Sequence, residues 1–246
     1  MAGAFCSISD EVFARFPDYV RGVVVAHRVA NGPTPPALVA QLRAAEASVR
    51  SRLTLEKLTA EPRIAAWREA FRKSGIKPSE FRASVEAMAR RALRDQELPA
   101  INTLVDIGNI LSLRYLVPVG GHAIDHLTQD MVLRFATGAE QFEPFGTTEV
   151  EQPDRGEIVF VEGNTVLTRR WSWRQANHTM TLPESTAVEI NVDGLPPVTA
   201  GEVETICREV VDMVRHYCGG QVWFDLITRQ KPRMPLAPGP VEREQA

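Results

Sequence analysis

Residues 98–125 read LPAINTLVDIGNILSLRYLVPVGGHAID, and the rest of the chain is organised around them. The Asn102-Thr103 pair predicts a helix start. Asp106 stands three residues beyond Thr103, the place of the reciprocal partner in a capping box. Leu104, Ile107, Leu111 and Tyr115 then recur at close to helical spacing. Pro118 and the Gly120-Gly121 pair predict the end of that helix and a turn. His122 and Asp125 are expected to leave the turn with side chains free for chemistry.

Upstream of this stretch the texture is mostly helical. Ser9 and Asp10 open a short helix carrying Val12, Phe13 and Phe16. YVRGVVVAHRV, residues 19–29, is β-branched and apolar, and predicts a buried strand interrupted by Gly22. Pro35 and Pro36 suit the first turn of a helix that buries Leu38, Leu42, Ala45, Val49 and Leu53. Pro62 opens another with Ile64, Trp67 and Phe71 as its stripe, ended by Gly75. Ser79 is expected to cap a third, with Phe81, Val85, Met88 and Leu93 inward.

Downstream the pattern turns to strands. Met131, Leu133 and Phe135 alternate, and the segments 157–161 and 166–170 flank Glu162-Gly163-Asn164 as a hairpin. TAVEINV, residues 186–192, and QVWFDLIT, residues 221–228, read as further strands. Between them, residues 201–218 carry a helical face of Val203, Ile206, Val210, Val214 and Tyr217. The expectation is one α/β domain over residues 1–229, helix-rich first and strand-rich second. A Pro-rich, charged tail over 230–246 is expected to be disordered.

The chain has 246 residues, 44% hydrophobic and 24% charged, with a formal net charge of −3. That is long enough to bury a core without metal or disulfide staples. The three cysteines form no CxxC pair, which points to a reduced compartment. MAGAFCSISDEVF does not have the form of a secretory signal and no apolar run is long enough to span a membrane, so a cytoplasmic protein is expected. Residues 43–94 hold 13 Lys and Arg against 6 Asp and Glu. This basic segment is either a phosphate-facing surface or a set of solvated helix faces.

Several chemistries are excluded by motif: there is no GxxxxGK[ST] loop, no GxGxxG after a strand and no GxSxG elbow. His122 and His126 have the i, i+4 spacing of a helical zinc pair, but no third ligand stands near in sequence, and no metal or cofactor is expected. Arg169, Arg170, Trp171, Trp173, Arg174 and Gln175 lie in the string RRWSWRQ. On a strand Arg169, Trp171 and Trp173 would share one side. The string can hold a nucleotide end through guanidinium–phosphate pairs and stacking, or it can be a core strand with Arg laid over Trp. Glu189, inside an apolar run, either faces solvent by alternation or points into a pocket.

LVDIGN followed by GGHAID resembles the B3 part of the B3/4 domain of the phenylalanyl-tRNA synthetase beta subunit, where the run reads approximately VVDITN and then HAFD. AWREAFRKSGIKPS, LPAINTLVD and RRWSWRQ resemble, in the same order, segments of free-standing B3/4 proteins. The likeness covers roughly residues 10–228. It implies a compact domain with a β-sandwich-like core and helices packed outside. In the synthetase this domain edits tRNA carrying tyrosine in place of phenylalanine. By motif, Asp106, Asn109, His122 and Asp125 match its Asp, Asn, His and Asp, and Glu189 matches a Glu on a late strand that recognises the wrong amino acid's hydroxyl. Two departures stand out: Gly108 replaces a Thr, and the span from Asn109 to His122 is two residues longer.

The resemblance implies an aminoacyl-tRNA deacylase acting in trans. His122 and Asn109 would be catalytic, and Gly108, Gly121, Glu189 and Trp173 would bind the aminoacyl group. Arg169, Arg170, Trp171, Arg174 and Gln175 would hold the tRNA. Ester hydrolysis needs little beyond a placed water and oxyanion stabilisation, so the lack of a nucleophile motif is no objection. The alternatives are a tRNA or amino-acid binding module without catalysis, and a small-molecule enzyme on the same fold.

Overall fold

The computed structural model describes residues 4–237. Its elements run β1 (Phe5–Ile8), α1 (Asp10–Arg15), β2 (Val20–His27), α2 (Pro36–Arg52), a 3-10 turn, α3 (Pro62–Lys73), α4 (Ser84–Ala92) and α5 (Thr103–Tyr115). There follow β3 (Val119–Ala123), β4 (Met131–Phe135), β5 (Ile158–Glu162), β6 (Thr165–Arg169), β7 (Arg174–Gln175), β8 (Ala187–Gly194), α6 (Ala200–Cys218), β9 (Gln221–Ile227) and β10 (Arg233–Pro235). Strands β3-β8-β2-β9 form one antiparallel sheet, and β10-β1-β4-β5-β6-β7 form a second. The mixed α/β class, helix-rich first and strand-rich later, is as the sequence predicts.

The four-stranded sheet has two differently built faces because side chains alternate along a strand. One face of β2 carries Gly22 and Val24 and packs on α6. A Cβ on Gly22 would lie 2.2 Å from Cys207 Sγ and 2.9 Å from Val203 Cγ1, and a Cβ on Gly194 would lie 2.6 Å from Val203 Cγ2. The glycine in β2 is therefore the notch that seats α6 rather than a break in the strand. The opposite face carries Arg21 and meets the six-stranded sheet, with the Arg21 guanidinium 4.3 Å from the Phe160 ring centroid. Helix α5 covers β3 beside α6 and α2.

Four local expectations are corrected. Asn102 is the N-cap of α5, accepting from Val105 N at 3.1 Å. Asp106 does not close a capping box with Thr103; its carboxylate takes Ile101 N and the Thr34 hydroxyl. Helix α5 ends where Leu116 adopts φ 53°, ψ 45°, and the Gly120-Gly121 pair lies within β3 instead of making a turn. Gly120 faces Asn191, whose Oδ1 would stand 3.0 Å from an added Cβ, so close strand approach explains that glycine.

Helix α4 begins at Ser84, not near Ser79, with Ser84 N donating to Ser172 O at 2.8 Å. Phe81 holds the preceding turn open by packing against Trp173 and beneath Arg170. The expected tail is ordered in its first part: β10 pairs with β1, and Met234 is fully buried. Residues 238–246 of that tail, and residues 1–3, lie outside the described residues. Among the described residues no helix is long and apolar enough to cross a membrane.

Candidate functional site

A cavity of about 230 Å³ opens where the start of α5, strand β3 and the turn after β6 converge. Its wall includes Gly108 and Asn109 from α5, Gly121 and His122 from β3, and Trp171, Trp173, Arg174 and Gln175 from the turn and β7. The sequence points to all eight of these residues, although Gly121, His122, Trp171 and Trp173 lie in a different local structure from the one expected.

The entrance of α5 is fastened from several sides. Asn102 caps the helix with its oxygen and donates its amide to Thr181 O at 2.8 Å. Asn31 accepts from Leu104 N and donates to Leu182 O. Asp106, fully buried, accepts from Thr34 Oγ1 at 2.5 Å, Ile101 N at 3.1 Å and Asn109 Nδ2 at 3.3 Å. That last bond orients Asn109, leaving its oxygen and second amide hydrogen for a ligand.

His122 is 3% exposed and lies within β3, where a turn with its side chain free for chemistry is expected. Its Nδ1 lies 2.7 Å from Thr179 Oγ1 and its Nε2 lies 3.3 Å from Thr168 Oγ1, so a hydroxyl covers each ring nitrogen. Burial, reinforced by Arg21, lowers its pKa to about 3, and the ring is neutral at physiological pH. Gln175 latches the strand from the side, donating to Gly121 O at 2.9 Å and to Thr179 O at 3.0 Å. Asp125 is tied into the scaffold: one carboxylate oxygen takes Thr186 N, Thr186 Oγ1 and Ala187 N.

RRWSWRQ does not form a continuous strand. Arg170 and Trp171 adopt φ of 47° and 65°, so β6 stops at Arg169 and the chain turns before β7. The turn separates residues that a strand would align. Arg169 is buried with Glu157 at 2.8 Å and Glu151 at 2.7 Å, and Arg170 lies over Phe81 and Trp173. Trp171 is core, edge-on to Phe16, Tyr19 and Trp67. Arg174, its side chain 40% exposed, is the arginine of this string that stands at the cavity rim.

The basic segment is also largely internally paired. Glu46 and Glu86, both buried, face Arg43, Arg68 and Arg90 at 2.6–2.8 Å. His122 and His126 share no helix, since the first is in β3 and the second borders a separate depression with His178. Among the described residues no three His, Cys, Asp or Glu side chains are grouped to hold a metal ion.

Glu189 is fully buried, which removes the solvent-facing reading. It stands opposite His122 in the β3–β8 ladder but is not among the residues that line the cavity. Arg21, which sequence reasoning passes over, does line the cavity, and its NH2 group lies 3.8 Å from Glu189 Oε1. The available signal is a charge at the start of the apolar run VRGVVVA, residues 20–26.

A family model described as the B3/4 domain matches residues 66–219 of the chain. The chain belongs to the B3/4 domain family. Its matched region runs from α3 through α6 and contains most of the cavity wall, with Arg21 contributed from outside it. Among solved structures, the chain is similar to an N-terminal fragment of the phenylalanyl-tRNA synthetase beta-subunit from Pyrococcus horikoshii, at 10% sequence identity and a TM-score of 0.47. That similarity covers 90% of this chain and 53% of the fragment, so this B3/4 protein spans about half the fragment's length. A comparison with curated proteins gave no match.

Proposed function

We propose that this B3/4 domain hydrolyses the aminoacyl ester of a mischarged tRNA in trans. The observation that carries the proposal is the cavity itself. At about 230 Å³ it is below the range of drug-sized ligand pockets and suited to one aminoacyl group. Asn109 and His122, both matched to the synthetase editing motif, stand on its wall.

An aminoacyl-tRNA ester is already activated, so the protein has to place a water and stabilise the developing oxyanion. With its pKa near 3, His122 is a weak base, and its role is that of a neutral hydrogen-bonding group. Asn109, held by Asp106, offers an amide hydrogen to the ester carbonyl. The neighbouring ribose hydroxyl of the terminal adenosine assists the attacking water. Trp173 and Arg174 receive the acceptor end at the rim. Arg169, Arg170 and Trp171 support that rim from within, their charges and rings being engaged by protein.

His122→Ala is expected to slow deacylation while leaving tRNA binding unchanged. Unchanged turnover on mischarged tRNA would remove His122 from the mechanism. A second reading, a binding module without catalysis, is favoured by the hydroxyls that already cover both nitrogens of His122. Steeply salt-dependent tRNA binding with no ester cleavage above buffer would select it.

A further inference from the structure

Arg21, the second residue of β2, is 2% exposed, and its side chain forms part of the cavity wall. Its NH2 group is 3.8 Å from Glu189 Oε1 and its NH1 group 3.7 Å from Asp193 Oδ1, both longer than a hydrogen bond. Among the described residues Arg21 Nε has no partner, and neither does either oxygen of Glu189. Asp193, in contrast, accepts from Tyr19 Oη at 2.5 Å and Asn191 Nδ2 at 2.7 Å. Ser172 Oγ and Thr181 Oγ1, on the same cavity wall, also have no partner among the described residues.

A guanidinium carries five donors, and buried donors in native proteins are satisfied almost without exception. Here the charge is buried, braced by ring and carboxylates, and its donors are unfilled beside an open cavity. The charge balance limits what can fill them. The Asp193 carboxylate already balances the guanidinium, with the Glu189 carboxyl beside it, so a further anion would leave excess negative charge in a buried site. A cation would be repelled by the guanidinium itself. An uncharged oxygen meets neither objection.

We infer that Arg21 is a specificity-determining residue that donates hydrogen bonds to an uncharged oxygen, a hydroxyl or carboxamide, at the far end of the bound aminoacyl side chain. Glu189 and Asp193 act through Arg21 as positioning residues and do not touch the ligand. The inference rests on the reading that the cavity holds an aminoacyl group. It moves side-chain recognition from Glu189, where the family resemblance puts it, to the neighbouring guanidinium that lines the cavity.

The test uses the full chain and amide-linked 3′-aminoacylamino-adenosines, which bind but cannot be hydrolysed. Matched pairs differ by one polar group: tyrosyl and phenylalanyl, threonyl and valyl, asparaginyl and leucyl. In at least one pair the oxygen-bearing member is expected to bind wild type about tenfold tighter or more, because a site built around a polar group discriminates strongly. The double variant Arg21→Met with Glu189→Gln, which strands no acid at Glu189, is expected to bring that preference within about twofold.

Arg21→Lys keeps a buried cation and serves if the double variant does not fold. Its loss of the planar fork is expected to weaken the preference at least about threefold. Equal binding in every pair, absence of binding, or a preference that survives loss of the guanidinium overturns the inference. Binding preference without ester cleavage contradicts deacylation and leaves this inference standing, whereas cleavage without preference does the reverse.

Discussion

His122 of β3 lies directly across the antiparallel ladder from Glu189 of β8, and burial drives the two groups in opposite directions. The His122 pKa falls to about 3; that of Glu189 rises to about 7, burial exceeding the opposing pull of Arg21. In each case the uncharged form is favoured. Two titratable groups opposed in this way give the site a pH behaviour unlike that of a solvated histidine and glutamate.

Deacylation provides the first check. Because His122 stays neutral well below its ordinary pKa of 6.5, the buffer-corrected rate should have no histidine inflection near pH 6.5. A rate falling about tenfold per pH unit below 6.5 would mean that a histidine with ordinary basicity carries the reaction.

Glu189 makes a stability prediction of definite sign. Below pH 4.5 its carboxyl is protonated in both folded and unfolded chains. Between 4.5 and about 7 the unfolded chain releases a proton that the folded chain keeps, so this group's contribution to stability falls as pH rises. Glu189→Gln removes that loss. Relative to wild type the variant should gain on the order of 3 kcal/mol between pH 4.5 and 7, read from urea midpoints. The opposite contribution of His122 is present in both proteins and cancels in the comparison.

Gly108 is a glycine inside α5 with no steric need to be one. An added Cβ would meet Val119 Cγ1 at 3.5 Å, an ordinary contact. Gly108→Ala should therefore stabilise the protein by about 0.5–1 kcal/mol. Because the residue lines the cavity, the same methyl should weaken binding of bulky aminoacyl analogues. A thermal melt and a binding titration on one sample separate the two effects.

Gly22 is the opposite case. Gly22→Ala drives a methyl against Cys207 Sγ and Val203, both fully buried, and should destabilise by about 1–3 kcal/mol. Adding Cys207→Ala removes the closest obstacle, so the double variant should recover part of the loss. Strictly additive effects would place α6 elsewhere.

The fold was legible wherever apolar periodicity was strong. Helices α2, α3 and α6, the β5–β6 hairpin and strands β2, β8 and β9 follow from local pattern, because each buries one regular face. The misreadings occur where distant contacts override local signals. Phe81 and the Ser172 carbonyl move the start of α4, and Asn191 explains a glycine that resembled a turn. Positive φ at Arg170 and Trp171 breaks a string that looked like a strand, a backbone choice that those residue types do not announce.

The site divides in the same way. Asn109 and His122 were legible through their motifs. Asp106 is marked by the sequence as a capping partner and as a motif match, while its contact with Asn109 depends on the folded chain. Arg21 was hidden because its meaning lies in Glu189, Asp193 and Phe160, which the fold brings to it from far along the sequence.

The central claim is ester hydrolysis, and its most direct measurement is multiple-turnover deacylation of a panel of mischarged tRNAs by catalytic amounts of the full chain. The account predicts that at least one aminoacyl-tRNA is cleaved well above its buffer rate, through many turnovers per protein. Buffer-level hydrolysis across the whole panel, with the protein folded and binding tRNA, would contradict it.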